Sequence, residues 1–107
     1  MALWTFRKNE NDVVNLYNTL SPVMQLATGG NMLNFGYWDN EDVSPIDAQN
    51  KLCNKIGKLA ELSSANSLLD VGSGLSSPAI RWSNSYPNID ILCLNVNYGQ
   101  LKLAKKY

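Results

Sequence analysis

The residues with the types and spacing for ligand chemistry begin at Asp70. It stands in the run SLLDVGSGLSSPAIRW, residues 67–82, just before a turn containing Gly72, Ser73 and Gly74. Glycines at a strand end let backbone approach a ligand, and the following helix start offers free N–H groups. A strand–turn–helix of this kind therefore suits an anion or a ribose. A carboxylate at Asp70, among apolar neighbours, is costly unless backbone N–H groups, water or a cationic ligand satisfy it. A dinucleotide fingerprint would carry an apolar residue here and its acid at the end of the next strand. In this chain the next strand ends at Asn95, which is neutral, and a polar link from Asn97 to Gln100 follows. Such a link is the usual wall for the base and ribose of a nucleoside. Ser76 and Ser77 occupy the place of a third glycine, and a left-handed backbone there would crowd a side chain.

The composition removes several other chemistries. The chain has 107 residues and no histidine, so the commonest general base and metal ligand is missing. Cys53 and Cys93 stand 40 positions apart without a CxxC spacing, and the expectation is two buried, reduced thiols. No catalytic residue and no metal site can be named. The formal net charge is zero, so bulk electrostatics gives no reason to expect nucleic acid or an anionic membrane. No apolar run approaches the roughly 20 residues needed to span a bilayer. The N-terminus MALWTFRKNENDVV lacks the apolar stretch of a secretion signal. A cytoplasmic location follows as the expectation.

The elements that must position these residues can be read from periodicity. Val13, Leu16, Tyr17 and Leu20 recur at helical spacing with Asp12 as the cap, and Ser21–Pro22 predicts a second short helix, ended by Gly29 and Gly30. Residues 31–44, NMLNFGYWDNEDVS, read as an aromatic, turn-rich loop. Ser44 caps a longer helix with Pro45 at its first position and Asp47 as the capping-box acid; its expected apolar face is Ile46, Leu52, Cys53, Ile56, Leu59 and Ala60. Leu68, Leu69 and Val71 predict a buried strand, Ser77 to Ser85 a helix, and residues 89–96 a second strand. A last helix follows with Leu101, Ala104 and Tyr107 inward and its lysines in solvent. Trp4 and Trp82 read as packing residues. The strand–helix–strand length implies a right-handed crossover between parallel strands. Two strands are few for an open parallel sheet, and the chain stops inside an apparent helix, so it reads as the N-terminal part of a larger α/β domain.

Taken together, these residues resemble the class I S-adenosylmethionine-dependent methyltransferases. LLDVGSGLSS is similar to their first motif, and ILCLNVNYGQLKLAKKY to their second strand, ribose-reading end and following helix. NFGYWD resembles the aromatic segment before the core in small-molecule members, such as the sterol, tocopherol and quinone types. The resemblance covers roughly residues 31–107.

The resemblance implies an α/β fold: a Rossmann-like parallel sheet with N-terminal helices, incomplete, with the first two strands only. Residues 1–44 would be N-terminal helices and the aromatic loop, and residues 45–107 the first half of a truncated S-adenosyl-L-methionine-binding domain. Asp70 would lie by the methionine amino end of the cofactor, and Gly72, Ser73 and Gly74 would present backbone to its methionine and ribose part. Asn95 would bond the ribose hydroxyls, Val96 would pack on the adenine, and Gln100 would lie near the ribose or methionine part. Tyr37 would help to cover the cofactor. The implied partner is a small-molecule methyl acceptor of lipid or isoprenoid character. Two other readings stand beside it. One is a non-catalytic truncated module that pairs with another chain through an open sheet edge. The other is a fragment of an NAD(P)-binding oxidoreductase, against which Asp70 and the neutral Asn95 both argue.

Overall fold

The computed structural model describes residues 9–40 and 42–107. Within them six elements follow in chain order: α1 (Glu10–Thr28), α2 (Pro45–Leu59), β1 (Ser67–Val71), α3 (Ser77–Ser85), β2 (Asp90–Leu94) and α4 (Tyr98–Ala104). The fold class is α/β with a Rossmann-like strand–helix–strand unit, as the spacing predicts. β1 and β2 are parallel, with Ser67 opposite Asp90 and Val71 opposite Leu94.

The described residues cover only one face of this sheet. Leu68 and Ile91 point to it and pack on a core of Leu62, Trp82 and Ile89, with Ala65 and Tyr86 at its margin. The opposite face carries Leu69, Val71, Leu92 and Leu94, each more than half exposed. The buried strand expected at residues 68–71 is therefore half-buried, because no described element lies over its second face. Trp82 is a packing residue as expected, and its indole N–H donates to the Cys53 carbonyl at 3.0 Å. Trp4 lies outside the described residues.

α2 faces the core differently from the expectation. Its buried residues are Ala48, Gln49, Cys53 and Gly57, whereas Ile46, Ile56 and Leu59 are exposed. The reason is close approach. A Cβ on Gly57 would stand 3.0 Å from the Tyr86 hydroxyl and 3.2 Å from the Trp82 indole nitrogen, so the small residue sets the seam with α3. Gln49 is buried because its amide N–H groups donate to the Met32 and Asn34 carbonyls at 2.9 and 2.8 Å, which fixes the aromatic loop. Ser44 caps α2 and pairs with Asp47, as the capping box predicts.

Residues 10–28 form one continuous helix rather than two. α1 is capped by Asn9, whose side chain accepts from the Asp12 N–H at 3.2 Å, not by Asp12 itself. Pro22 lies inside it. A proline removes the donor for the carbonyl four residues earlier, here that of Asn18. Side chains hold the helix across this break. Ser21, one residue before the proline, donates to the Tyr17 carbonyl at 2.6 Å and is itself buried. Tyr107, expected inward, is exposed, and the buried residue of α4 is Gln100. Both cysteines are free as expected, Cys53 buried but Cys93 only half-buried.

Candidate functional site

The glycine turn is built from three left-handed residues. Gly72 takes φ +77°, Gly74 φ +57° and Ser76 φ +58°. The N–H groups of Gly72 and Ser73 both donate to the Leu94 carbonyl, at 2.7 and 3.1 Å, so the turn folds over the end of β2. A Cβ on Gly72 would meet no atom within 4 Å, which leaves its backbone open to an approaching group. Ser76 adopts the conformation a third glycine would supply, at a cost of about 1–2 kcal/mol for an L-residue. Its hydroxyl lies 3.4 Å from that of Ser73, and both serines are buried.

Across the turn stands the end of β2. Asn95 Nδ2 donates to the Gly74 carbonyl at 3.1 Å and to Gln100 Oε1 at 2.8 Å. Asn97 caps α4, its Oδ1 accepting from the Gln100 N–H at 3.2 Å. Two side-chain pairs then reach α1: Asn97 Nδ2 donates to Asn18 Oδ1 at 2.9 Å, and Gln100 Nε2 donates to Ser21 Oγ at 2.8 Å. Each spans 79 residues of sequence.

Between these walls lies a cleft of about 390 Å³. Gly72, Ser73, Gly74, Asn95, Val96 and Gln100, all singled out from the sequence, line it together with Leu75, Pro78 and Asn97. The third wall is α1, through Val13, Val14 and Tyr17, and the fourth is the loop at Asn31, Leu33 and Asn34. The sequence gives no ligand role to α1, and in the loop it points to Tyr37 rather than to Asn31, Leu33 or Asn34. Val13 and Tyr17 are one helical turn apart, and that spacing reads equally well as a core-facing stripe. Among the described residues, the only titratable side chain in the lining is the Tyr17 phenol.

Two residues singled out from the sequence do not line the cleft. Tyr37 is drawn to α2 instead: its N–H donates to the Ala48 carbonyl at 2.8 Å, and the Lys55 ammonium sits 3.7 Å over its ring. Asp70 has its side chain on the covered side of the sheet, in the same strand register as Leu68. Its Oδ2 is buried and has no hydrogen-bond partner. Burial pushes the Asp70 carboxyl above its ordinary range. Its charge in turn helps to raise the Cys53 thiol, for which burial is the larger cause and Arg81 an opposing one. Among the described residues no group of carboxylate and thiol side chains is placed to hold a metal ion. No helix among them is long and apolar enough to cross a membrane.

The chain is 29% identical over 95 residues to 27-O-demethylrifamycin SV methyltransferase of Amycolatopsis mediterranei (strain S699), an alignment covering 89% of this chain and 34% of that protein. This chain is homologous to a methyltransferase. The fold agrees: the crystal structure of the [4+2]-cyclase SpnF matches with a TM-score of 0.78 and 28% identity, over 89% of this chain and 36% of that one. The chain thus spans about a third of the length of these relatives and carries an N-terminal portion of a methyltransferase-type, Rossmann-like fold. No protein-family model matches it.

Proposed function

We propose that this chain forms the cofactor-binding end of an S-adenosyl-L-methionine-dependent methyltransferase acting on a small-molecule acceptor. The observation that carries this reading is the convergence of the Gly72–Gly74 turn with Asn95, Val96 and Gln100 on one cleft at the carboxyl ends of two parallel strands. That is where open α/β sheets hold nucleoside ligands. The open backbone at Gly72 suits the close approach of a methionine or ribose group. Asn95 would face the ribose and Val96, which is largely exposed, the adenine ring. Asp70 does not line the cleft, but it stands two residues before the turn with a buried, unpartnered carboxylate oxygen, and a cationic group nearby would offset the cost of burying its charge.

When bound, the cofactor would supply an electrophilic methyl group. The residues of this chain would contribute position and exclusion of water. Val13, Val14 and Leu33 give the cleft apolar walls, and a lining without charge among the described residues favours a neutral acceptor of modest size. Among the described residues Tyr17 is the only titratable lining group, so proton transfer from the acceptor is left to that phenol or to groups outside the described residues. The likeness to a cyclase favours a second reading, in which the same cleft orients a substrate for ring closure and no methyl group moves.

Titration calorimetry of the chain with S-adenosylmethionine and with NAD tests the ligand. Saturable heat with the former and none with the latter is expected. Binding of NAD alone would replace this reading with the oxidoreductase one. A methyl-transfer assay of the full-length enzyme then separates methylation from cyclisation.

A further inference from the structure

We propose that Ser21 and Gln100 form a relay that locks the amide of Asn95, so that Asn95 presents only its carbonyl oxygen to the ligand and selects a ribose with free hydroxyls. This rests on the reading that the cleft holds a nucleoside. A side-chain amide has two ends of nearly equal shape, one donating and one accepting, and the end that faces a ligand decides what it can recognise. Here the orientation follows from a chain of bonds with a single sense. Ser21 donates its proton to the Tyr17 carbonyl at 2.6 Å, so its oxygen is left to accept. Gln100 must therefore turn Nε2 towards Ser21, at 2.8 Å, which turns Oε1 towards Asn95. Asn95 must answer with Nδ2, at 2.8 Å, and its second N–H is taken by the Gly74 carbonyl at 3.1 Å. Both ends of the chain are backbone carbonyls, which cannot reverse. A flipped Gln100 would set donor against donor at Asn95.

Asn95 Oδ1 is left with one long bond, from the Asn97 N–H at 3.3 Å, and a further lone pair. It can accept from a hydroxyl but has no donor to offer a phosphate. Ser21 is 6% exposed and does not line the cleft, and Gln100, though it lines the cleft, is 5% exposed with both ends of its amide engaged by Ser21 and Asn95, so both act through Asn95. They are positioning residues.

The test uses the 107-residue chain and three probes: S-adenosylhomocysteine and its 2′-deoxy and 3′-deoxy analogues. The parent is expected to bind the full nucleoside about five- to tenfold tighter than at least one deoxy analogue, the worth of one hydrogen bond. In Gln100→Leu, which removes the acceptor for Asn95, that ratio should fall towards one. Gln100→Glu keeps an acceptor there and should restore the ratio even if overall affinity drops. Ser21→Ala, a small change on a helix, should lower the ratio in a chain that still folds, as checked by its thermal transition. Equal loss of affinity for all three probes, with the ratio unchanged, would overturn the relay and leave these residues merely structural. Failure of the parent to bind any probe would instead remove the nucleoside reading, and the relay's role with it.

Discussion

Gly36 lies against Ala48 so closely that a Cβ on the glycine would stand 2.7 Å from the alanine Cβ and 2.8 Å from its carbonyl carbon. Gly36 also takes φ +82°, a backbone that L-residues rarely adopt. The contact lets the Tyr37 N–H reach the Ala48 carbonyl, and Ala48 is fully buried. Here the aromatic loop is fastened to α2. Gly36→Ala therefore meets both overpacking and a left-handed penalty, together about 2–4 kcal/mol. A chemical-denaturation curve should show the midpoint falling by that equivalent, and an unchanged midpoint would mean that the loop is not seated on α2.

Asp70 should make stability fall as pH rises. Burial raises its carboxyl in the folded state above the unfolded value of 3.8, so the folded chain holds its proton more tightly than the unfolded one. Stability is then greatest below the unfolded value and is lost as pH climbs through the folded one. Asp70→Asn keeps the shape and removes the charge. Its melting temperature should match the parent at pH 3 and exceed it at pH 7, while its affinity for S-adenosylmethionine should fall. Equal melting temperatures at pH 7 would show that the buried oxygen carries no penalty.

Ser76 holds a glycine conformation, and Ser76→Gly should relieve it. The gain is the left-handed cost less the entropy that glycine adds to the unfolded chain, a net of about 0.5–1 kcal/mol. The lost contact is a hydroxyl pair at 3.4 Å, too long to offset much. A melting temperature several degrees higher is the expected result, and a lower one would show that the Ser73–Ser76 pair matters more than the backbone.

These cases show what the sequence can and cannot convey. The turn was legible because glycines at 72 and 74 and a proline at 78 are local signals for a strand entering a helix. Ser76 was legible as an anomaly, and the structure gives it the backbone a glycine would have had. The face of α2 is not legible in the hydrophobic pattern because burial there follows close approach, with Gly57 against Trp82. The continuity of α1 is not legible because proline is a local signal, whereas the bonds from Asn97 and Gln100 that hold the helix beside it come from 79 residues away. The α1 wall of the cleft is hidden for the same reason: no local pattern says which loop a helical stripe will face.

The two thiols should separate cleanly by reactivity. Cys53 is 1% exposed, its Sγ lies 3.6 Å from the Met32 sulfur, and burial raises its thiol so that little thiolate forms at neutral pH. Thiolate is the reactive species, and access is the second requirement. Cys93 is half-buried on β2. A disulfide-exchange reagent at pH 7.5 should therefore label Cys93 first in the folded chain and reach Cys53 only as fast as the chain opens. Denaturant should bring the second thiol to the same rate as the first. Gly57→Ala, which forces Trp82 and Tyr86 away from α2, should speed labelling of Cys53 severalfold while leaving that of Cys93 nearly unchanged. Equal rates at both thiols in the folded parent would contradict the packing of α2 described above.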